Sequence, residues 1–307
     1  MRGTILVTPR SLSKEGHPEL KRLTDAGFTI KTPWPGVQPS EEQLLQELPL
    51  CVAYLAGVEK ISHRVLTAAP NLQIISRFGV GVDNIDLATT KELGIEVAVA
   101  TGANSQGVAE LALSLIFDGM RAIAKSNAIL KTGQWKREMG MEIADKTLGI
   151  AGCGNIGKRL ANLALALGMR VIAYDLYEDP SMAKKENFSY GDLPTLLSQS
   201  DFISLHTPLG NQPLLNKTSL GQLKGSTVIV NTARDGLIDH LAMLEALDAG
   251  LVSTYLTDVF DVEPLVLNEL YCHERVVLTP HIGGYTKESV ARTVEIAVDA
   301  ILDFFTE

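Results

Sequence analysis

The chain of 307 residues has only three cysteines, Cys51, Cys153 and Cys272, and none falls in a Cys-x-x-Cys or mixed Cys/His spacing. That excludes the common zinc and dithiol motifs and fits free thiols in a reducing, cytoplasmic setting. No metal is expected. No apolar stretch approaches the ~20 residues that a bilayer crossing needs. The apolar run in the N-terminal MRGTILVTPR is too short for a signal peptide, so a soluble chain with no membrane partner is expected. Positive charge is also scarce. Lys and Arg number 27 against 36 Asp and Glu, a net charge of −9, and no basic run exceeds Lys184-Lys185. An acidic chain without a basic patch is a poor nucleic-acid binder. An anionic substrate would need particular arginines to hold it against an unfavourable overall field.

What is present is apolar and periodic. Hydrophobic residues make up 46% and charged residues 21% of the chain, enough for large cores and too little charge for disorder. At ~100–200 residues per domain, two domains are expected. Short β-rich runs alternate with helical patterns throughout, the rhythm of βαβ units and parallel sheets. The first block has strands near 4–7, 28–31, 51–56, 72–76 and 95–99, with helical patterns at 19–26, 41–47 and 62–69 between them. A long helical pattern over 105–131, apolar at Val108, Leu111, Leu115 and Ile116, follows. The second block has strands near 148–151, 170–174, 201–205, 227–230, 254–256 and 276–278, and a final helix over 287–305. Two doubly wound α/β domains are the economical reading.

The most informative stretch is LGIAGCGNIG, residues 148–157. A buried strand runs directly into Gly152-Cys153-Gly154-Asn155-Ile156-Gly157, a helix follows, and the next strand ends at Asp175. Gly152 permits a tight turn, Gly154 lets the backbone approach a pyrophosphate, and Gly157 lets helix and strand pack closely. The helix N-terminus offers N–H groups and partial positive charge to the phosphates. Asp175 can accept from the ribose hydroxyls and would repel a 2′-phosphate, which favours NAD over NADP. A glycine turn can also serve packing alone, but here strand, turn, helix, strand and acid fall in register.

Three polar residues lie just past predicted strands, where open α/β sheets bind ligands. Arg234 follows TVIVNTA, Glu263 precedes Pro264, and His281 precedes Ile282-Gly283-Gly284. A histidine suits proton transfer to and from an alcohol, a carboxylate can orient and charge that histidine, and an arginine can grip a substrate carboxylate. Each alone reads equally as a surface or turn residue; their joint placement carries the suggestion.

Seven motifs in order carry a resemblance: SRFGVGVDNIDL (76–87), GANSQGVAEL (102–111), LGIAGCGNIG (148–157), HTPL (206–209), VNTARDGLID (230–239), DVFDVEP (258–264) and TPHIGG (279–284). Together they resemble the D-isomer-specific 2-hydroxyacid dehydrogenases, most closely a short form of D-3-phosphoglycerate dehydrogenase. The resemblance implies a Rossmann cofactor domain, 102–284, inserted into a flavodoxin-like substrate domain, 1–101 with 285–307. The long helix after Ser105 would help form a homodimer. Arg234, Glu263 and His281 fall on the family's catalytic positions. Val80, Gly152, Gly154, Asn155, Ile156, Gly157, Asp175, Thr207, Thr232, Ala233, Asp258, Gly283 and Gly284 fall on cofactor contacts. Substrate contacts are implied for Arg77, Phe78, Gly79, Val80, Gly81, Asn104 and Arg234. Arg77 is the candidate reader of a substrate phosphate, Trp135 and Arg137 could reach a partner's site, and the substrate is expected in a cleft facing the glycine turn.

Two departures stand out. The family usually has glycine after the catalytic arginine, where this chain has Asp235, and an inward-turned carboxylate there could weaken the grip of Arg234 on an anion. The run 253–257 before Asp258 is bulkier than usual. The implied activity is NAD-linked hydride exchange between a D-2-hydroxy acid and its 2-oxo acid, with D-3-phosphoglycerate the leading substrate. Hydroxypyruvate, glyoxylate or another 2-oxo acid is the alternative, as is phosphite oxidation. Glu263 disfavours formate. A non-enzymatic, NADH-responsive corepressor-like binding protein is the reading from another class.

Overall fold

The computed structural model describes residues 2–306, and the chain divides into two compact units, 1–104 with 287–307, and 105–286. In the first, five parallel strands, β1 (Gly3–Val7), β2 (Phe28–Lys31), β3 (Ala53–Ala56), β4 (Ile74–Arg77) and β5 (Glu96–Val99), pair in the order β2-β1-β3-β4-β5. This is the flavodoxin-like order. Side chains alternate across the sheet: Leu6, Tyr54 and Ala56 enter one core cluster, Ile5, Val7, Ala53 and Leu55 the other. The second cluster is covered by the C-terminal helix Lys287–Phe304, whose Val294, Ala297, Val298 and Ile301 are buried at helical spacing. Burying each of the larger of these is worth about 1.5–3 kcal/mol. Ser76 Oγ donates to Ala297 O at 2.9 Å, tying helix to sheet.

The second unit holds seven parallel strands: β6 (Thr147–Ala151), β7 (Arg170–Tyr174), β8 (Phe188–Tyr190), β9 (Phe202–Leu205), β10 (Thr227–Asn231), β11 (Val252–Thr257) and β12 (Val276–Leu278), in the order β12-β11-β10-β9-β6-β7-β8. This is Rossmann order extended by one edge strand, with the reversal of strand order beside β6. The central strands are buried on both faces, hence their continuous apolar runs. Val228 and Val230 join one core cluster and Ile229 the other. The helix Ser105–Arg121 packs Ala109, Ala112 and Ile116 into the first cluster with Leu160, Ala161 and Ala164 of the helix Asn155–Ala166. The expected pair of doubly wound parallel sheets is therefore present.

Two local expectations are corrected. The single helix expected over 105–131 is two, Ser105–Arg121 and Ile123–Lys131, because Ala122 takes a left-handed φ of 48° and Asp118 Oδ1 accepts from Ala124 N at 2.6 Å. That carboxylate satisfies an amide at the start of the new helix, and nothing in the apolar spacing marks the break. The strand β8 was not expected: its three residues follow the polar run KKEN and are too few to show a period.

Candidate active site

The glycine turn leaves β6 at the reversal of strand order. Gly152 has φ +94°, and a methyl group there would lie 2.5 Å from the carbonyl carbon of His206. Only glycine satisfies both conditions. A methyl at Gly157 would lie 2.2 Å from Gly152 O, so the helix Asn155–Ala166 crosses the strand end at backbone contact. Gly154 is different. It is the N-cap, with φ −76° and no side-chain cap, and a methyl there would meet no protein atom within 4 Å. The turn therefore has one glycine for conformation, one for packing and one whose missing side chain opens onto space. An open cradle before a helix N-terminus fits a dinucleotide pyrophosphate.

Asp175 follows β7. Its carboxylate accepts from Cys153 N at 2.6 Å and Tyr177 N at 2.8 Å, holding the acid against the turn. Lys158 pairs with Asp179, and this ion pair with the Ser181 hydrogen bonds holds the Asp179 carboxyl well below the usual range. Burial pushes the Cys153 thiol up, so it stays protonated.

Arg234, Glu263 and His281 come from the segments after β10, β11 and β12. His281 Nδ1 lies 2.7 Å from Glu263 Oε1. This hydrogen bond raises the histidine's pKa above the ordinary value; desolvation and the charge of Arg234 act against it, and Glu263 and Asp258 add to it. Arg234 is thus near enough for its charge to be felt at the imidazole. Its Nη1 donates to Ala233 O at 2.7 Å.

Two residues support this group in ways that the motifs did not suggest. Asn231, fully buried at the end of β10, donates through Nδ2 to Arg234 O at 2.8 Å and accepts from Ala233 N at 3.1 Å. Asp258, only 1% exposed, accepts from Thr279 Oγ1 at 2.6 Å, Ile282 N at 2.8 Å and Gly283 N at 2.7 Å. Those donors flank His281, whose φ is +53°. A left-handed non-glycine residue costs of order 1–3 kcal/mol and persists where its surroundings over-determine it. Asp258, expected as a cofactor contact, has its carboxylate engaged by this turn. A polar residue following a strand was the available signal for both; their partners were not readable.

The remaining candidates of this unit lie close by in sequence. Asn155 and Ile156 open the helix, Thr207 and Thr232 follow β9 and β10, and Ala233 and Gly284 border the turns just described. Thr232 is 9% exposed. The first unit holds the rest. Arg77 ends β4, is 8% exposed, and donates through Nη1 to Phe78 O at 2.7 Å. Gly79 has φ +145°, and its carbonyl accepts from Ala100 N at 3.0 Å. Val80 is exposed, Phe78 and Gly81 are half-buried, and Asn104 is half-buried at the unit's edge. Among the described residues no helix is long and apolar enough to cross a membrane, and no three His, Cys, Asp or Glu side chains gather to hold a metal.

Sheets of this order bind dinucleotides in the crevice at the strand reversal, which makes the second unit the dinucleotide-binding part of an α/β protein. The NAD-binding domain of the D-isomer specific 2-hydroxyacid dehydrogenases matches residues 113–283, and the chain belongs to that family of NAD-dependent oxidoreductases. It is 39% identical over 275 residues to a hydroxypyruvate reductase of Thermotoga maritima, covering 87% of this chain and 88% of that protein. It is 36% identical to a D-3-phosphoglycerate dehydrogenase of Archaeoglobus fulgidus over 86% of this chain, but spans only 51% of that relative. Among solved structures, the TT0316 protein from Thermus thermophilus superposes with a TM-score of 0.89 at 31% identity, covering 99% of this chain and 97% of the other.

Proposed function

We propose that the chain reduces the carbonyl of a short, unphosphorylated 2-oxo acid such as hydroxypyruvate, and oxidises the corresponding D-2-hydroxy acid in reverse. The observation that carries this is the 2.7 Å contact between His281 Nδ1 and Glu263 Oε1. With Nδ1–H given to the carboxylate, Nε2 is the position left to exchange a proton. In reduction the imidazolium donates from Nε2 to the developing alkoxide, and Glu263 stabilises the charge before transfer. The neutral tautomer left behind keeps its proton on Nδ1, ready to accept one at Nε2 in the oxidative direction. Arg234 grips the substrate carboxylate and polarises the neighbouring carbonyl. NADH, when bound, supplies the hydride. Gly154 and the amides that follow it hold the pyrophosphate, and Asp175 selects NADH over NADPH.

Two observations move the substrate away from phosphoglycerate, the leading expectation from the motifs. Arg77, the one residue expected to read a phosphate, is buried with Nη1 on the Phe78 carbonyl. The hydroxypyruvate reductase is also the more similar of the two relatives, at 39% identity against 36% for the phosphoglycerate dehydrogenase. We also read the protein as cytoplasmic and as a homodimer, the dimer supported by the exposed apolar side chains Ile123, Leu130, Trp135 and Met139 along one segment.

The test is NADH oxidation with hydroxypyruvate, glyoxylate and phosphohydroxypyruvate in parallel. Hydroxypyruvate is expected to be turned over best. His281→Ala and Arg234→Ala are each expected to lower turnover by about 10²–10⁴-fold with NADH affinity retained. Near-normal turnover in either variant refutes its role. Inactivity on the whole panel, with NADH still bound tightly, would favour a binding protein instead.

A further inference from the structure

We propose that Asp235, Tyr271 and His240 form a positioning cluster that locks the turn carrying Arg234 to the loop carrying Glu263. The proposal rests on the reading of Arg234 as the substrate anchor. Asp235 follows Arg234 directly and is 7% exposed. Its Oδ1 accepts from Tyr271 Oη at 2.6 Å and from His240 Nε2 at 3.0 Å. A carboxylate so deeply buried is strongly unfavourable unless charge-assisted hydrogen bonds compensate it, and these two donors do so. They also give the charge partners other than the guanidinium beside it, which answers how an acid can follow the substrate-gripping arginine.

The cluster reaches further through Tyr271. That ring is 6% exposed and packs edge-on against His240 at 5.3 Å and against Phe260 at 5.3 Å. Phe260 lies in the same DVFDVEP loop as Glu263. Tyr271 is itself held by Asn268, whose Oδ1 accepts from the Tyr271 amide at 2.9 Å. The two segments are joined by backbone at their start, Asp258 N to Asn231 O at 3.0 Å, and the Tyr271 hydroxyl and ring add a second tie further along both. On the other flank of Arg234, Asn231 holds the Ala233 amide and the Arg234 carbonyl. With the cluster intact, the backbone of Arg234 is fixed on both sides. Without it, the Asn231 side of Arg234 stays held, and on the Asp235 side the turn keeps backbone contacts such as Leu237 N to Arg234 O at 3.2 Å and Ile238 N to Asp235 O at 3.0 Å.

The test compares Tyr271→Phe, His240→Ala, His240→Gln and Arg234→Ala with the wild type. Readouts are KM and kcat for hydroxypyruvate with NADH, NADH affinity by fluorescence titration, and melting temperature. Tyr271→Phe keeps the ring packing and removes one donor to the carboxylate. It and His240→Ala are each expected to raise KM by about tenfold, the scale of one hydrogen bond to a charged group, with kcat and NADH affinity nearly unchanged. His240→Gln, which can still donate, is expected to restore most of the loss. A lowered melting temperature with wild-type KM in both Tyr271→Phe and His240→Ala would overturn the proposal, leaving a cluster that serves the fold alone. If Tyr271→Phe does not fold, the His240 pair decides. Wild-type kinetics in Arg234→Ala would instead refute the anchor reading; if the wild type prefers another 2-oxo acid of the panel, the same comparison is made with that acid. Raised KM in Arg234→Ala with none in the cluster variants would remove only the positioning role.

Discussion

Adding a single methyl group at each of two glycines in one turn should separate folding from cofactor binding. At Gly157 the added carbon would lie 2.2 Å from Gly152 O, a backbone atom that cannot rotate aside. The helix Asn155–Ala166 must then move off β6, and overpacking of this kind costs about 1–3 kcal/mol. For a unit of this size the expected fall in melting temperature is about 2–12 °C. At Gly154 the methyl meets no protein atom within 4 Å and φ is −76°, a value alanine adopts freely. There the substitution meets no clash; the gain from restricting the unfolded chain is offset because alanine is a poorer N-cap than glycine, so stability should change by less than about 1 kcal/mol. The same methyl projects into the space proposed for the pyrophosphate. Keeping the phosphate off the helix N-terminus loses the equivalent of one charge-assisted hydrogen bond, so NADH should bind about 10- to 100-fold more weakly. Calorimetric melting and NADH fluorescence titration on Gly154→Ala and Gly157→Ala give the answer. Wild-type NADH affinity in a well-folded Gly154→Ala would show that the pyrophosphate does not lie over this glycine. An unchanged melting temperature in Gly157→Ala would show that the helix–strand contact is softer than the geometry states.

Other perturbations address the proton and the cofactor's second phosphate. Glu263→Gln removes the charge that raises the His281 pKa. Reduction needs the protonated ring and is lost as pH rises through its pKa, so that limb should move to lower pH. Oxidation needs the neutral ring, so its rising limb should move to lower pH as well. Limbs that stay in place would assign the titration to another group. Asp175→Asn keeps an oxygen for the Cys153 amide and removes the charge, and should narrow the preference for NADH over NADPH. Titration of both cofactors measures it, and an unchanged ratio would refute selection by this acid.

Much of this molecule is written locally. The glycine turn was readable because each requirement, a positive φ, a backbone contact and an open approach, falls on a residue type that only glycine satisfies. Strands such as TVIVN were readable because burial on both faces makes them continuously apolar. The break at Ala122 was not, since alanine is the strongest helix former and the cause is a carboxylate one turn away. Nor was the fate of Asp235. As a sequence feature it reads as a charge intruding on a substrate anchor, and its partner Tyr271 lies 36 positions further on. Asn231 and Asp258 present the same problem: their residue type announces a hydrogen bond, and only the folded chain names the acceptor or donor.

The left-handed backbone of His281, fastened on both sides by one buried carboxylate, has a consequence for the dynamics of the reaction. Two side-chain torsions are all the freedom this histidine keeps, and the contact with Glu263 restrains both. Its ordering is therefore completed when the chain folds. In the proposed reaction, the ring that exchanges the proton is already oriented before substrate arrives.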